Sequence, residues 1–484
     1  MARGIEYKYI VAIVAVFGLF MELLDATIVN VAIPTLSKEF NATTTSIEWV
    51  VTGYLLSLAV FIPVSGWAGD RFGTKRTFMF ATAVFTLASL LCTLAWNIES
   101  LIVFRAMQGV GGGMLTPVGT AMVFRAFPAE ERSKASGLMV IPTTVAPASG
   151  PVLGGFLIDY ISWEWIFLVN VPIGLVGFIV AARWLKEHKE PNPGSLDVPG
   201  FVLAASGFGS LLYALAEAGS KGWTSAPVIG FGTMGLALLV AFVFVELRAP
   251  QPMIDVRLLK DRLFRACNAA QFIGMTGFSA SLFLLPIMLQ AERGLSAFES
   301  GLTSFPMALG VMTTAQPVSR LYLRIGPRRL IASGLVVASL TSFAFYEVDG
   351  GTNLWLIRLL MYVRGMGFGL MLVPLQAATF STISPAMTGR ASSIFSSGRM
   401  VAQSLGVAII ATVLTSRLTH HGAMLGNPAT RSGAFEAFQD GFVIAGVMTL
   451  LGVVAALIIR DRDAAASMTP KGVGTERAPT PAGH

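Results

Sequence analysis

Fourteen stretches of about 20 mostly apolar residues follow one another along this chain of 484 residues: 9–33, 47–67, 77–96, 101–124, 135–159, 164–184, 198–217, 226–246, 264–290, 299–321, 329–346, 353–380, 388–416 and 440–459. A helix needs that length to cross the hydrocarbon of a bilayer. Within lipid every backbone N–H and C=O must find its partner inside the segment, so runs of this length read as helices. Only 13% of the residues are charged, where soluble domains carry roughly a quarter. The fold class is therefore an all-α membrane protein that crosses the bilayer many times.

The basic residues fix its orientation. With both termini in the cytoplasm, about 25 Lys and Arg fall on the inner side and about 5 on the outer, the distribution that basic loops impose. The inner clusters are Arg71/Lys75/Arg76, Arg125/Arg132/Lys134, Arg183/Lys186/Lys189, Arg248 to Arg265 and Arg320 to Arg329. The net charge of +7 is spread over short loops, which argues against nucleic acid as a partner. The apolar run after Lys8 continues through Glu22 and Asp25 to Pro34 with no cleavage site. It reads as a first span and not a removed signal peptide.

The chain repeats itself. Arg71-Phe72-Gly73-Thr74-Lys75-Arg76 returns as Arg324-Ile325-Gly326-Pro327-Arg328-Arg329. Pro117 and Pro128 return at the same spacing as Pro374 and Pro385, and Lys134-Ala135-Ser136 echoes Arg390-Ala391-Ser392. The expected organisation is a six-helix bundle over 1–190, a linker and inserted two-helix hairpin over 191–262, a second six-helix bundle over 263–460 and a disordered cytoplasmic tail over 461–484. Parallel halves place a substrate site at their interface near mid-membrane. Leu323 stands where the second copy would repeat Asp70, so the first loop reads as the functional one.

That first loop packs an acid among bases. Gly66 and Gly73 permit a tight turn and close helix approach, and Asp70 sits beside Arg71, Lys75 and Arg76. Such an acid can hold a cation or a helix N-terminus in one access state and lose it in the other. The pattern resembles the loop of the major facilitator superfamily. Leu24-Asp25-Ala26-Thr27-Ile28-Val29-Asn30-Val31-Ala32-Ile33-Pro34, Arg105-Ala106-Met107-Gln108-Gly109-Val110-Gly111, Gly150-Pro151-Val152-Leu153-Gly154-Gly155 and Trp163 to Gly174 resemble further motifs of that superfamily's fourteen-spanner drug:proton antiporters, in the same order. Ala146 replaces the usual earlier glycine of the antiporter motif. The resemblance implies the major facilitator fold. It also implies proton-coupled efflux of lipophilic, often cationic, drugs across the cell membrane by alternating access. A lipid or lysolipid flippase, or an exporter of an endogenous metabolite, is the alternative on the same fold.

Charges inside spans are costly and by default mark function. Asp25 and Glu22 stand three residues apart on one helix face, where two carboxylates can serve as proton carrier and cation partner. The first-helix motif adds weight to Asp25. Arg105 stays protonated and can hold a nearby acid ionised, with Gln108 one turn on. Arg364 and Arg399 are the buried-charge candidates of the second half, as structural cations or an anion site. Gly150 and Gly154 form a small-residue packing face, and Pro151 opens the local backbone. With Gly155 they suit a hinge or seal against leak. Gly109 to Gly113 lies inside a span, so it is no nucleotide loop. Cys92 and Cys267 form no metal spacing, and His420-His421 lies in an outer loop. The sequence predicts neither an enzyme nor a cofactor or metal. Its expected partners are small lipophilic substrates, protons and membrane lipids, and it should function as a monomer.

Overall fold

The computed structural model describes residues 6–42, 44–191, 193–250 and 252–468. The described chain is helical throughout, with no strand. The helices are α1 (Tyr7–Glu39), α2 (Thr44–Phe72), α3 (Thr74–Thr93), α4 (Ile98–Ala126), α5 (Arg132–Tyr160), α6 (Trp165–Leu168), α7 (Asn170–Trp184), α8 (Val198–Lys221) and α9 (Ala226–Arg248). They continue as α10 (Arg262–Ile287), α11 (Ala297–Ser304), α12 (Pro306–Ile325), α13 (Pro327–Ala344), α14 (Leu354–Thr379), α15 (Thr388–His420), α16 (Arg431–Leu457) and α17 (Ala465–Met468).

Among the described residues, 12 helical segments are long and apolar enough to cross a membrane. The sequence predicted fourteen. The two not counted are α4, which carries Arg105, Gln108 and three successive glycines, and α12, which carries Gln316, Ser319 and Arg320. Both are helical, and both pack among the others, α4 on α2 and α3 and α12 on α14 and α5. The expected tenth span is also broken. Phe305 separates α11 from α12, and the Ser296/Glu299 capping box starts α11 on its own. One π-turn, Met288–Glu292, extends α10.

Local chemistry sets the helix starts. Asn97 Oδ1 accepts from Ser100 N (2.8 Å) at α4, and Asp261 Oδ1 accepts from Phe264 N (2.7 Å) at α10. Such side chains satisfy N–H groups that a helix start leaves orphaned. The repeated loops share a further device. Gly73 and Gly326 both take positive φ, 100° and 85°, a region that glycine enters without strain. Over Gly73 lies the Glu187 carboxylate, which accepts from the backbone N–H of Lys75 (3.0 Å) and Arg76 (3.2 Å). Over Gly326 lies Asp461, which accepts from Arg328 N (2.9 Å). Glu187 follows α7 and caps α3, and Asp461 follows α16 and caps α13. The second loop thus keeps its cap while lacking the equivalent of Asp70.

One hydrophobic core draws Val14, Phe78, Phe85, Leu115 and Phe124 from the first half. Another draws Leu284, Val311, Tyr322, Phe345 and Phe442 from the second. Helices α8 and α9 pack on each other, and α8 lies against both α2 and α15. The start of the expected tail is ordered. Asp461–Ala464 forms a 3-10 turn and Ala465–Met468 a short helix, because Ser467 meets Tyr322 Oη (2.6 Å) and Asp461 caps α13. Residues 469–484 lie outside the described residues.

Candidate functional site

Asp25 is fully enclosed in the first half, at 0% exposure. Its Oδ2 accepts from Arg105 Nη1 at 2.5 Å. Its Oδ1 accepts from Gln108 Nε2 (2.8 Å) and from Asn170 Nδ2 (2.9 Å). Arg105 is fixed in turn: Nε donates to Val50 O (3.1 Å), Nη1 also donates to Gln108 Oε1 (2.5 Å), and the guanidinium lies 4.2 Å from the Tyr54 ring centroid. Gln108 Nε2 donates to Ser89 Oγ as well (2.6 Å). Helix α1 thus carries the carboxylate, α4 and α7 supply its donors, and α2 and α3 hold those donors in place through Val50, Tyr54 and Ser89. Isolated ions are very costly in such a place, so paired and hydrogen-bonded ones are what one finds. The sequence singled out Asp25 and Arg105 and placed Gln108 beside them. It gave no weight to Asn170 and Ser89, although Asn170 sits within the quoted Trp163–Gly174 motif.

Glu22, one turn earlier, has different surroundings. Its Oε2 accepts from Thr116 Oγ1 on α4. Its charge is also felt by Arg399, on α15 in the second half. The shared helix face therefore serves two neighbourhoods: Asp25 inside the first half, and Glu22 toward the seam between halves. Tyr54 stands between them, its ring under Arg105 and its hydroxyl donating to Glu22 O (3.5 Å).

The seam is closed at the Asp70 end. Asp70 is 2% exposed. Its Oδ1 accepts from Arg125 Nη2 (2.7 Å), and Arg125 Nε donates across the seam to Pro385 O (2.8 Å). Arg132 Nη1 likewise donates to Phe380 O, and Phe124 stacks on Phe380 at 4.4 Å. Gly66 meets Gly389 and Ser393 of α15. Ser65 Oγ meets Ser393 Oγ (3.3 Å), and Ser392 Oγ donates to Pro117 O (2.8 Å). The neighbouring bases do not pair with Asp70. Lys75 Nζ donates to the carbonyls of Ala182 (2.7 Å) and Leu185 (2.9 Å), Arg76 lies 3.7 Å from Glu187, and Arg71 is exposed. The cation that the sequence assigned to topology alone, Arg125, is the one that Asp70 holds.

Gly150 and Gly154 let α5 lie directly on α1. A Cβ on Gly150 would overlap Thr27, and one on Gly154 would lie 3.0 Å from Ile28. Pro151 faces the other way, against Gly301 of α11, and Gly155 faces Phe298. The motif is thus packed on both sides. Arg364 is buried without an acid. It donates to Ser342 Oγ (3.3 Å) and Phe278 O (3.4 Å), stacks 5.1 Å from the Phe278 ring, and leaves Nε without a partner. None of these contacts of Arg364 is to Arg399, which feels the charge of Glu22 instead. Among the described residues no group of His, Cys, Asp and Glu is placed to hold a metal ion. His421 spans Glu436 and Asp440, at 3.1 Å each.

The family sequence model of the Major Facilitator Superfamily matches residues 15–407. A multidrug resistance protein B homolog of Mycobacterium tuberculosis (strain ATCC 25618 / H37Rv) is 35% identical over 411 residues, covering 84% of this chain and 76% of that one. A putative multidrug resistance protein MdtD of Serratia proteamaculans (strain 568) is 31% identical over 425 residues, covering 88% and 89%. Among solved structures, the human organic anion transporter MFSD10 (TETRAN) superposes with a TM-score of 0.67 at 14% identity, over 93% of this chain and 100% of that one. At that identity the likeness concerns the fold alone.

Proposed function

The chain belongs to the major facilitator superfamily, a family of transporters and not of enzymes, and we propose that it exports lipophilic, often cationic, compounds in exchange for protons by alternating access. In this reading it has fourteen spans: two six-helix bundles, with α8 and α9 as the inserted hairpin. Both termini face the cytoplasm of a cell whose inner membrane it spans, which makes the Asp70 end the cytoplasmic one, and it works as a monomer.

The observation that carries the reading is the division between two acids one helical turn apart. Asp25 is enclosed with Arg105, Gln108 and Asn170, so it can exchange a proton but not touch a bulky cargo. Glu22 accepts from Thr116, and its charge reaches Arg399 of the other half. A cation arriving at the seam competes with Arg399 for Glu22. Protonating Asp25 frees Arg105, which is a differential contact between two access states. Asp70 and Arg125 hold the cytoplasmic side shut meanwhile. The relatives named for multidrug resistance support export of drugs as such.

The test is transport in proteoliposomes under an imposed pH gradient, with the lipophilic cation tetraphenylphosphonium as cargo. Proton-driven accumulation that disappears in Asp25→Asn supports the reading. Gradient-independent movement of a fluorescent lysolipid, unaffected by Asp25→Asn, overturns it in favour of flipping.

A further inference from the structure

Arg390 lies in the first turn of α15, next to Gly389, where a Cβ would stand 3.3 Å from Asp70 Oδ1, and its charge reaches two acids. Asp70 feels its charge from α2, and Glu246 feels it from the last turn of α9. Asp70 already has a partner in Arg125 at 2.7 Å. Glu246 has no such partner. It is fully buried, its Oε1 accepts only a long bond from Ile254 N (3.3 Å), and its Oε2 accepts none. Arg390 Nε is likewise buried with no acceptor. A buried carboxylate oxygen and a buried guanidinium N–H of opposite charge, each left open, are costly alone and favourable together.

Helix packing supplies the path between them. Ile254, whose N–H meets Glu246, belongs to an apolar cluster with Val64 of α2, Ala204 of α8 and Phe242 of α9, and Ile394 of α15 packs against it. Ile394 lies one turn beyond Arg390. Asp197, which caps α8 through Gly200 N (2.9 Å), crowds the same corner and keeps Oδ2 unpaired. The corner thus gathers the acids Glu246, Asp197 and Asp255 near Arg390, while Arg257 spends its guanidinium on the carbonyls of Leu247 (2.9 Å) and Ala249 (3.2 Å).

We propose that Glu246 is the alternate partner of Arg390. The guanidinium is drawn to Asp70 while the seam is closed, and closes onto Glu246 when α15 moves away from α2. The α8–α9 pair then acts as a positioning element of the gate, and Glu246 stabilises the open state. This rests on the alternating-access reading above.

The experiment reads gate opening directly. Ser393→Cys, in a background with Cys92 and Cys267 replaced by serine and alanine, gives one thiol that the closed seam covers, and its maleimide labelling rate in purified full-length protein reports opening. Tetraphenylphosphonium should raise that rate in the parent. Glu246→Gln should lower it about tenfold, and should have no effect when Arg390 is already Gln, because two groups that act through one contact do not add. The reversed pair, Glu246→Arg with Arg390→Glu, should regain most of the parental rate. Should Glu246→Gln not yield monodisperse protein, the reversed pair decides. An unchanged rate in Glu246→Gln, an equal effect of that substitution in the Arg390→Gln background, or a reversed pair that labels no faster than a single variant overturns the inference alone. A parent thiol that never labels overturns the transport reading and the inference together.

Discussion

Gly66 on α2 and Gly389 on α15 approach so closely that a Cβ on Gly66 would lie 2.7 Å from the Gly389 carbonyl oxygen and 2.9 Å from Ser393 Oγ. Two halves of the chain thus touch backbone to backbone at the sealed end. A methyl there cannot be absorbed by a flexible side chain, since the obstacle is the opposing main chain. Gly66→Ala should part the seam, while the interior of each half stays packed. The expected result is faster maleimide labelling of Ser393→Cys, by severalfold, with transport reduced. Labelling at the parental rate would mean that the seam yields without opening.

Losing Asp25 alone should cost more stability than losing Asp25 and Arg105 together. Removing one member of a buried ion pair leaves the other uncompensated, at a cost of about 3–5 kcal/mol. Asp25→Leu should therefore lower the thermal midpoint sharply, and Asp25→Leu with Arg105→Met should recover much of it. Neither should restore proton-driven transport. Thermal unfolding of detergent-purified variants, with intrinsic fluorescence as readout, checks this.

Asn170 donates to the same carboxylate oxygen as Gln108. A hydrogen bond to a charged group contributes about 1.5–3 kcal/mol. Asn170→Leu should thus slow proton-coupled transport by roughly ten- to a hundredfold, while Asn170→Asp adds a second charge and should abolish it. Initial rates in proteoliposomes decide, and full activity in Asn170→Leu would remove Asn170 from the site.

Asp70→Asn keeps the shape but loses the ion pair to Arg125. Expression should remain close to that of the parent, while transport falls and the seam labels faster. Full transport with unchanged labelling would exclude Asp70 as a latch.

Gly150→Ala places a methyl onto Thr27. Overpacking of this kind costs typically 1–3 kcal/mol. Thermal stability should fall, and Thr27→Gly in the same chain should recover part of it, since it removes the hydroxyl and Cβ that the methyl meets. A fall that the second substitution leaves untouched would place the cause elsewhere.

The sequence made the helices legible because their apolar runs are long. Asp25 and Arg105 stood out because a charge within such a run is too costly to persist without a role. Asn170 and Ser89 did not stand out, since small polar side chains are common in membrane helices and bond to their own backbone. Arg125 was hidden for the opposite reason: one more base in a basic loop looks like topology, and only the approach of α4 to α2 makes it Asp70's partner. The break at Phe305 and the ordered Asp461–Met468 segment depend on contacts across the fold, with Pro151 and Val152 near Gly301, and with Tyr322 at Ser467. No local pattern encodes those contacts.

The enclosure of Asp25 sets a clock as well as a structure. Every donor around it is already engaged, and no part of it reaches solvent. If Asp25 is the proton carrier proposed above, a proton reaches it only after Arg105, Gln108 or Asn170 has let go, and the pace of exchange is then that of helix movement and not of water diffusion. On the proposed exchange mechanism, a copy standing idle in an energised membrane should therefore pass no proton current, so that many copies could be kept ready without draining the gradient.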